Sequence, residues 1–161
     1  MYIGIFYLEV MEYLLNNESE LAGVAGEVAE ALLSQPLRKR ATVLALIGEL
    51  GAGKTTFSKH FLKFLGVTEQ IVSPTFVIIK SYVLSTKYYE LAHHIDTYRL
   101  EEPVAELKKL EIEKVLDDPK HLVLIEWADR VEELLPPDAI RLEFSHEDGN
   151  KRSLKVSGMD L

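Results

Sequence analysis

The chain has 161 residues, of which 47% are hydrophobic and 27% are charged, and this is typical of one compact globular domain over residues 1–161. The absence of cysteine excludes disulfides and thiolate metal sites, and it suits a reducing cytoplasm. The formal net charge of −8 argues against direct nucleic-acid binding through a basic surface, and no apolar stretch approaches the roughly 18 residues that span a membrane.

The N-terminal part predicts a short strand followed by a helix. Residues 1–10 have no clear place in this pattern, and we expect an extension or an extra edge strand there; they lack the basic leader and cleavage site of a signal peptide. The strand begins at Met11. In the helix that follows, Asn17 and Glu20 are predicted to form a capping box, and apolar residues recur at helical spacing as far as Leu32.

A buried strand and a second helix come next. Residues 41–48 form a continuous apolar run that contains Val and Ile, which is typical of a strand buried on both faces in a parallel sheet. Phenylalanines recur at helical spacing between Phe57 and Phe64, and Gly66 follows as the C-terminal stop of this helix.

The remaining elements continue the alternation of strands and helices. Residues 75–84 and 87–96 predict two strands joined by a short turn at Ser85 and Thr86. The later elements are a helical segment over 103–116, in one or two pieces, a buried strand over 121–126, a short helix over 129–135, and a C-terminal antiparallel hairpin of residues 140–144 and 154–156. The pattern predicts a three-layer α/β domain with a mixed, mainly parallel sheet and antiparallel edge hairpins.

Residues 48–57 read GELGAGKTTF and match the phosphate-loop pattern G-x-x-x-x-G-K-[ST], which favours a P-loop NTPase-like domain. Glycines let backbone N–H groups turn towards phosphate oxygens, and the N-terminus of the next helix adds partial positive charge. Lys54 would reach the β- and γ-phosphates, and the Thr55 hydroxyl suits Mg²⁺. A glycine-rich turn with an exposed lysine is the alternative. The residues expected to bind nucleotide are Gly48, Glu49, Leu50, Gly51, Ala52, Gly53, Lys54, Thr55, Thr56 and Thr75.

A nucleotide hydrolase also needs a carboxylate at the end of a neighbouring strand, which holds Mg²⁺ or orients the attacking water. Glu126 ends the apolar run LVLIE, and Asp96 ends LAHHID. Surface acids at strand ends are the alternative interpretation. We expect Glu126, Asp96 and Lys54 to be catalytic, and Thr55, Asp96 and Glu126 to be the metal ligands.

Other residues near these segments allow two interpretations. Thr75 in SPTF could sense the γ-phosphate through a switch-like loop, or it could simply form a turn. Trp127 would by default be a core residue, although it adjoins Glu126. His93 and His94 are consecutive in a predicted strand and so face opposite sides, which argues against a shared metal site.

The nucleotide is expected to be ATP rather than GTP, because residues 150–153 (NKRS) are the nearest match to a guanine-binding N-K-x-D element and lack its aspartate. A small-molecule kinase would need several positive groups around the γ-phosphate, and the six arginines do not cluster. A nucleotide-gated binding protein would instead use ATP to change its affinity for a partner. Arg99, Arg130 or a partner residue could supply the positive group that accelerates a slow intrinsic hydrolysis.

Several motifs, taken in order, resemble one family. GELGAGKTTF is followed by SPTF, HIDTYRL and IEWADRVEELLP, and this combination is similar to TsaE, the family of small bacterial P-loop ATPases of tRNA threonylcarbamoyladenosine biosynthesis. The likeness runs from about Met11 to Phe144. It implies an accessory protein that binds ATP and Mg²⁺, hydrolyses ATP weakly and docks on the TsaB–TsaD complex, through which it would act on tRNA. The oligomeric state is left open.

The resemblance gives the site residues family roles. These are Lys54 as the phosphate lysine, Thr55 as a Mg²⁺ ligand, Thr75 as part of the first switch, Asp96 as a magnesium-site acid and Glu126 as the Walker B-like acid. Tyr98, Arg99 and Trp127 also fall on family-typical positions. The segment after YRL departs from the family, because Lys109 precedes Leu110 where a Leu-Gly pair is common, and this leaves the partner contacts there open.

Overall fold

A computed structural model describes residues 10–161 of the chain, and residues 1–9, most of the segment interpreted as an extension, lie outside the described part. The strands are β1 (Met11–Leu15), β2 (Thr42–Gly48), β3 (Ile79–Val83), β4 (Leu91–Asp96), β5 (His121–Glu126), β6 (Ile140–His146) and β7 (Arg152–Ser157). The helices are α1 (Glu18–Ser34), α2 (Lys54–Phe64), α3 (Pro103–Lys109) and α4 (Ile112–Asp117), with a 3₁₀ helix at Ala128–Leu134.

The described strands form one mixed sheet in the order β1-β7-β6-β2-β5-β4-β3. The central strands β6, β2, β5 and β4 are parallel to one another, whereas β7 and β3 pair antiparallel with their neighbours. The predicted mixed sheet with antiparallel edge hairpins is therefore confirmed. Parallel strands bring their carboxyl ends to one edge, which is where open α/β sheets bind ligands.

Apolar side chains cover both faces of the sheet and separate it from two helical layers. Leu44, Leu124 and Phe57 belong to the core between the sheet and the α1–α2 layer. Val43 and Ile125 belong to the core on the other face, which α3 and α4 cover. Burial on both faces explains why the central strands read as continuous apolar runs. None of the described helices is long and apolar enough to cross a membrane.

The helix ends follow the sequence closely. Asn17 caps α1 as predicted, because its side-chain oxygen accepts a hydrogen bond from the Glu20 N–H at 3.0 Å. The reciprocal bond of the predicted capping box differs, since Glu20 Oε2 accepts from the N–H of Asn16, one residue before the cap, at 2.7 Å. The predicted helical segment after Pro103 is divided into two helices. Glu111 separates them with a left-handed backbone, at φ 58°.

The antiparallel pair β3–β4 is present but shorter than predicted. Residues 75–78 form a turn instead of strand, because the N–H groups of Val77 and Ile78 both donate to the Pro74 carbonyl, at 3.1 and 2.7 Å. Ile78 has φ 69°, which ends this turn and allows β3 to begin one residue later. The connection to β4 spans 84–90 and is therefore longer than the two-residue turn predicted.

Candidate functional site

The glycine loop, residues 48–53, joins β2 to α2 at the carboxyl edge of the parallel strands. Two of its positions require glycine. At Gly48 a Cβ would lie 2.6 Å from the carbonyl oxygen of Phe144, a contact that real Cβ atoms do not make. Gly53 caps α2 with φ 117°, in the left-handed region that other residues disfavour. The backbone of the loop therefore passes close to β6 before α2 starts.

Lys54, the first residue of α2, is buried against the loop that precedes it. Its Nζ donates hydrogen bonds to the carbonyl oxygens of Gly48 and Glu49, at 2.6 and 2.8 Å. The same Nζ lies 4.0 Å from the centre of the Trp127 ring, within cation–π distance. Burial lowers the pKa of Lys54 below its ordinary value, and nearby carboxylates, Glu126 first, oppose this shift.

The two predicted carboxylates lie side by side. β4 and β5 are parallel neighbours in a register that pairs Asp96 with Glu126, and both residues are buried. Glu126 Oε2 accepts a hydrogen bond from the Thr55 hydroxyl at 2.8 Å. Asp96 accepts one from the Thr75 hydroxyl at 2.8 Å and another from the Tyr98 N–H at 2.8 Å. The glycine loop, the helix after it and the segment around Thr75 therefore meet at these acids.

His94 also belongs to this cluster, although the sequence motifs did not assign it a role in the site. Its Nε2 lies 2.7 Å from Glu126 Oε1, and the side chain is fully buried. The alternation of side chains in a strand places His94 and Asp96 on the same face of β4, and that signal could have revealed it. His93 points to the opposite face, where Ser81 lies 2.8 Å from its Nδ1, as the alternation predicts.

The two arginines considered as activating groups lie in different surroundings. Arg130 donates hydrogen bonds to the carbonyl oxygens of Thr97, Tyr98 and Leu100, the latter two at 3.0 and 2.5 Å. Its guanidinium therefore holds the turn that follows β4. Arg99 lines the cleft itself, which makes it the better placed of the two.

Trp127 forms one wall of the cleft and is half-buried. Its ring centre lies 5.0 Å from that of Tyr98, and its backbone is left-handed, at φ 58°. This position directly after Glu126 turns the indole back over Lys54. The side chain thus contributes to the site more than to the core.

A cleft of about 380 Å³ joins these elements. It is lined by Leu50, Gly51, Gly53, Lys54, Thr55, Thr56, Ser73, Thr75, Asp96, Tyr98, Arg99, Glu126 and Trp127. Three of the predicted binding residues do not line it. Gly48 and Glu49 present their carbonyl groups to Lys54, and Ala52 is buried.

The described residues contain no group of three or more His, Asp or Glu side chains placed to hold a metal ion by themselves. The cleft instead offers the Thr55 hydroxyl and the carboxylates of Asp96 and Glu126. Such oxygen donors suit Mg²⁺ when a phosphate group completes its coordination, because this ion is usually bound by one or two carboxylates together with substrate phosphates.

The fold, with its glycine loop between a central strand and a helix, is that of a P-loop NTPase-like α/β protein. The family model described as threonylcarbamoyl adenosine biosynthesis protein TsaE matches residues 15–154. The chain therefore belongs to the TsaE family, whose role lies in tRNA threonylcarbamoyladenosine biosynthesis.

Individual relatives agree with this assignment. The tRNA threonylcarbamoyladenosine biosynthesis protein TsaE of Rickettsia felis is 39% identical over 144 residues, which cover 89% of this chain and 77% of that protein. The protein of the same name from Bacillus subtilis is 37% identical over 137 residues, which cover 81% and 78%. The crystal structure of Bacillus subtilis YdiB matches with a TM-score of 0.73 and 27% identity, over 95% of this chain and 88% of that one.

Proposed function

We propose that this chain is an accessory ATPase of tRNA threonylcarbamoyladenosine modification, which binds ATP with Mg²⁺, hydrolyses ATP slowly on its own and acts on the TsaB–TsaD complex. One observation carries the proposal: Lys54, Thr55, Asp96 and Glu126 converge on a single cleft beside the glycine loop. Membership of the TsaE family supports the tRNA pathway. The motif resemblance supports the partner complex.

The triphosphate would bind where α2 begins. Backbone N–H groups in the first turn of a helix have no partner within the helix, and they attract anions. Lys54 would exchange its two carbonyl acceptors, Gly48 and Glu49, for oxygens of the β- and γ-phosphates. Since burial lowers the pKa of Lys54, a phosphate group next to it would favour the charged form.

Mg²⁺ would be held by Thr55, Asp96 and Glu126 together with phosphate oxygens. When bound, it neutralises negative charge that develops on the transferred phosphoryl group. Glu126 and Asp96 are also the groups able to orient a water molecule towards the γ-phosphate, since both carboxylates line the cleft. The Thr75 hydroxyl, hydrogen-bonded to Asp96 at 2.8 Å, would couple this loop to the same phosphate.

Slow turnover follows from the charges of the cleft. Among its described lining residues, Lys54 and Arg99 are the basic ones. P-loop enzymes that lack an inserted arginine hydrolyse nucleotide slowly, and such a group is worth roughly 10³–10⁵ in kcat. We therefore expect the partner complex to accelerate hydrolysis, either by ordering Arg99 or by supplying a positive group of its own.

A protein partner fits the surface around the cleft. Phe76 and Val77, which follow Thr75, are 80% and 60% exposed, and the Arg99 guanidinium lies 4.2 Å from the centre of the Phe76 ring. Exposed apolar side chains beside a polar site support contact with protein. Because its net charge is −8, this chain would act on tRNA only through the partner complex and not by binding it directly. We place this activity in the cytoplasm.

Two other functions are less well supported by the same cleft. A kinase would be expected to place several basic groups around the γ-phosphate, whereas the Arg130 guanidinium is occupied by three backbone carbonyls. A nucleotide-gated binding protein would bind ATP without needing hydrolysis. A Glu126→Gln variant that binds ATP, fails to hydrolyse it and still supports tRNA modification would favour that second function.

The decisive experiment compares the wild-type chain with Lys54→Ala. The wild type should bind ATP, release phosphate without a phosphorylated acceptor, and restore threonylcarbamoyladenosine in cells depleted of their own TsaE. Lys54→Ala should bind ATP at least about 10-fold more weakly, because it loses a charge-assisted contact, and it should not restore the modification. Normal modification with Lys54→Ala would overturn the proposal.

A further inference from the structure

We propose that His94 is a positioning residue for Glu126, one that fixes the direction of the carboxylate on which hydrolysis depends. The inference rests on the proposed ATPase function. The His94 side chain is fully buried, and its Nε2 lies 2.7 Å from Glu126 Oε1. Its Nδ1 has no hydrogen-bond partner among the described residues.

The direction of this hydrogen bond follows from the acceptor. A carboxylate oxygen can only accept, so Nε2 of His94 carries the proton and donates it to Glu126 Oε1. The other ring nitrogen is then buried without a partner among residues 10–161, which is unfavourable. An apolar side chain would fill the same space without that penalty. The imidazole is therefore explained by its contact with Glu126 and not by packing.

The two oxygens of Glu126 are held from opposite sides. His94 donates to Oε1 and Thr55 donates to Oε2, at 2.7 and 2.8 Å. The terminal torsion of a glutamate side chain is broad when nothing restrains it. Two donors on two separate elements restrict that rotation, while the Glu126 side chain still lines the cleft.

The register of the sheet makes this contact specific. β4 and β5 pair His94 with Leu124, and Asp96 with Glu126. His94 thus lies two residues before Asp96 and on the same face of β4, and its ring reaches forward to the Glu126 carboxylate. His94 is not among the residues that line the cleft. It can therefore hold the Glu126 carboxylate without occupying the space where a phosphate would bind.

A matched pair of substitutions separates positioning from packing. His94→Gln keeps an N–H donor at about the reach of Nε2, whereas His94→Leu fills the space without a donor. We expect His94→Leu to lower kcat for ATP hydrolysis about 10- to 100-fold, a loss typical of residues that support a ligand from behind. The dissociation constant for ATP should change by less than about 3-fold, because binding relies on the glycine loop and Lys54. His94→Gln should retain most of the activity.

A purely structural role predicts the reverse order. If His94 only filled the core, leucine would serve at least as well as glutamine, which adds a polar group that needs a partner. Finding His94→Leu as active as the wild type, or more active than His94→Gln, would overturn the inference. If His94→Leu gives no cooperative thermal transition, His94→Asn replaces it. The asparagine amide stays polar but is too short to reach Glu126, so kcat should fall as expected for His94→Leu.

Two further measurements complete the design. His93→Leu, at the next residue but on the opposite face of β4, should leave kcat unchanged. A double variant of His94→Leu with Glu126→Gln should lose no more activity than Glu126→Gln alone, because both changes act on one group. If the wild type shows no ATP hydrolysis, the proposed function fails. If the wild type hydrolyses ATP and additive losses appear in the double variant, only the role of His94 fails.

Discussion

The Thr55 hydroxyl donates a hydrogen bond to Glu126 Oε2 across 2.8 Å, and this contact ties the first turn of α2 to the end of β5. Thr55 and Glu126 are 71 residues apart in the chain, yet both side chains line the cleft. Any change in the position of α2 is therefore transmitted directly to the carboxylate.

The first prediction concerns that hydroxyl. Thr55→Val keeps the shape of the side chain but removes the donor, and it leaves the buried Glu126 carboxylate with one hydrogen bond fewer. We expect a loss of about 1–3 kcal/mol in the free energy of unfolding, measured by urea denaturation. Thr55→Ser restores the hydroxyl and serves as the control. Equal stability of the valine and serine variants would show that the hydrogen bond contributes little.

The second prediction uses the single tryptophan as a reporter. Trp127 lies 4.0 Å from Lys54 Nζ, and the proposed binding mode moves that ammonium group towards phosphate. Adding ATP with Mg²⁺ should therefore change the fluorescence of Trp127 in a saturable way. In Lys54→Ala the signal should require at least about 10-fold more ATP. A constant spectrum at ATP concentrations that saturate binding in equilibrium dialysis would contradict the proposed movement.

The third prediction compares two glycines. Gly48→Ala would force a Cβ to within 2.6 Å of the Phe144 carbonyl oxygen, and we expect a loss of about 2–4 kcal/mol in unfolding free energy. At Gly23, within α1, an added Cβ would meet no atom of the other described elements within 4 Å, so Gly23→Ala should instead stabilise the protein by about 0.5–1 kcal/mol. Thermal denaturation of the two variants beside the wild type measures both effects, and equal shifts would refute the steric explanation.

The fourth prediction concerns pH. Burial, helped by the neighbouring His121, lowers the pKa of His93 to about 4, although Asp118 opposes the shift. Between pH 6.5 and about 4 the unfolded chain therefore binds more protons at this residue than the folded chain does. The free energy of unfolding should therefore fall as pH falls through that window, and His93 should add up to ~1.4 kcal/mol per pH unit to this slope. Above pH 6.5 His93 should add nothing to the slope.

The contribution of His93 can be isolated by substitution. His93→Asn removes the titrating ring but keeps an amide able to reach the Ser81 hydroxyl, which lies 2.8 Å from Nδ1 in the wild type. Urea denaturation at several pH values should show a flatter profile for the variant between pH 4 and 6.5. Parallel profiles for the two proteins would mean that His93 does not titrate as expected.

The fifth prediction separates the two arginines near the site. Arg130→Ala removes the donors to three backbone carbonyls in the turn after β4. The free energy of unfolding, measured by thermal denaturation, should therefore fall by about 1–3 kcal/mol. Within the described part of the chain the Arg99 guanidinium lies over the exposed Phe76 ring, so Arg99→Ala should change the free energy of unfolding by less than about 0.5 kcal/mol. ATPase activity in the presence of the partner complex should fall for Arg99→Ala. Unchanged activity there would assign the activating group to the partner.

The glycine loop could be predicted from the sequence because its requirements are local. Gly48 and Gly53 have backbone conformations that few other residues adopt, and the flanking apolar run and helix are visible in the same 25 or so residues. The ends of β4 and β5 could also be predicted, because each apolar run is followed by a carboxylate, Asp96 or Glu126. The loop and both strand ends are thus encoded in short stretches of the chain.

The contacts that complete the site depend on long-range register and could not be predicted in the same way. His94 meets Glu126 only because β4 and β5 pair as parallel neighbours without an offset. Strand propensity favours a longer β3, but the Val77 and Ile78 N–H groups donate to the Pro74 carbonyl and form a turn there. Residue propensities also do not contain the contact between the Thr75 hydroxyl and Asp96 that accompanies this turn.

The connection between β3 and β4 lies at the amino end of β4, whereas the cleft lies at the carboxyl end of that strand, and Ser85 in this connection is exposed. Since the chain has no natural thiol, Ser85→Cys would create a unique attachment point for a dye or a solid support. A molecule immobilised there would present its whole nucleotide-binding side to solution, so that nucleotide uptake and complex assembly could be followed on the same surface.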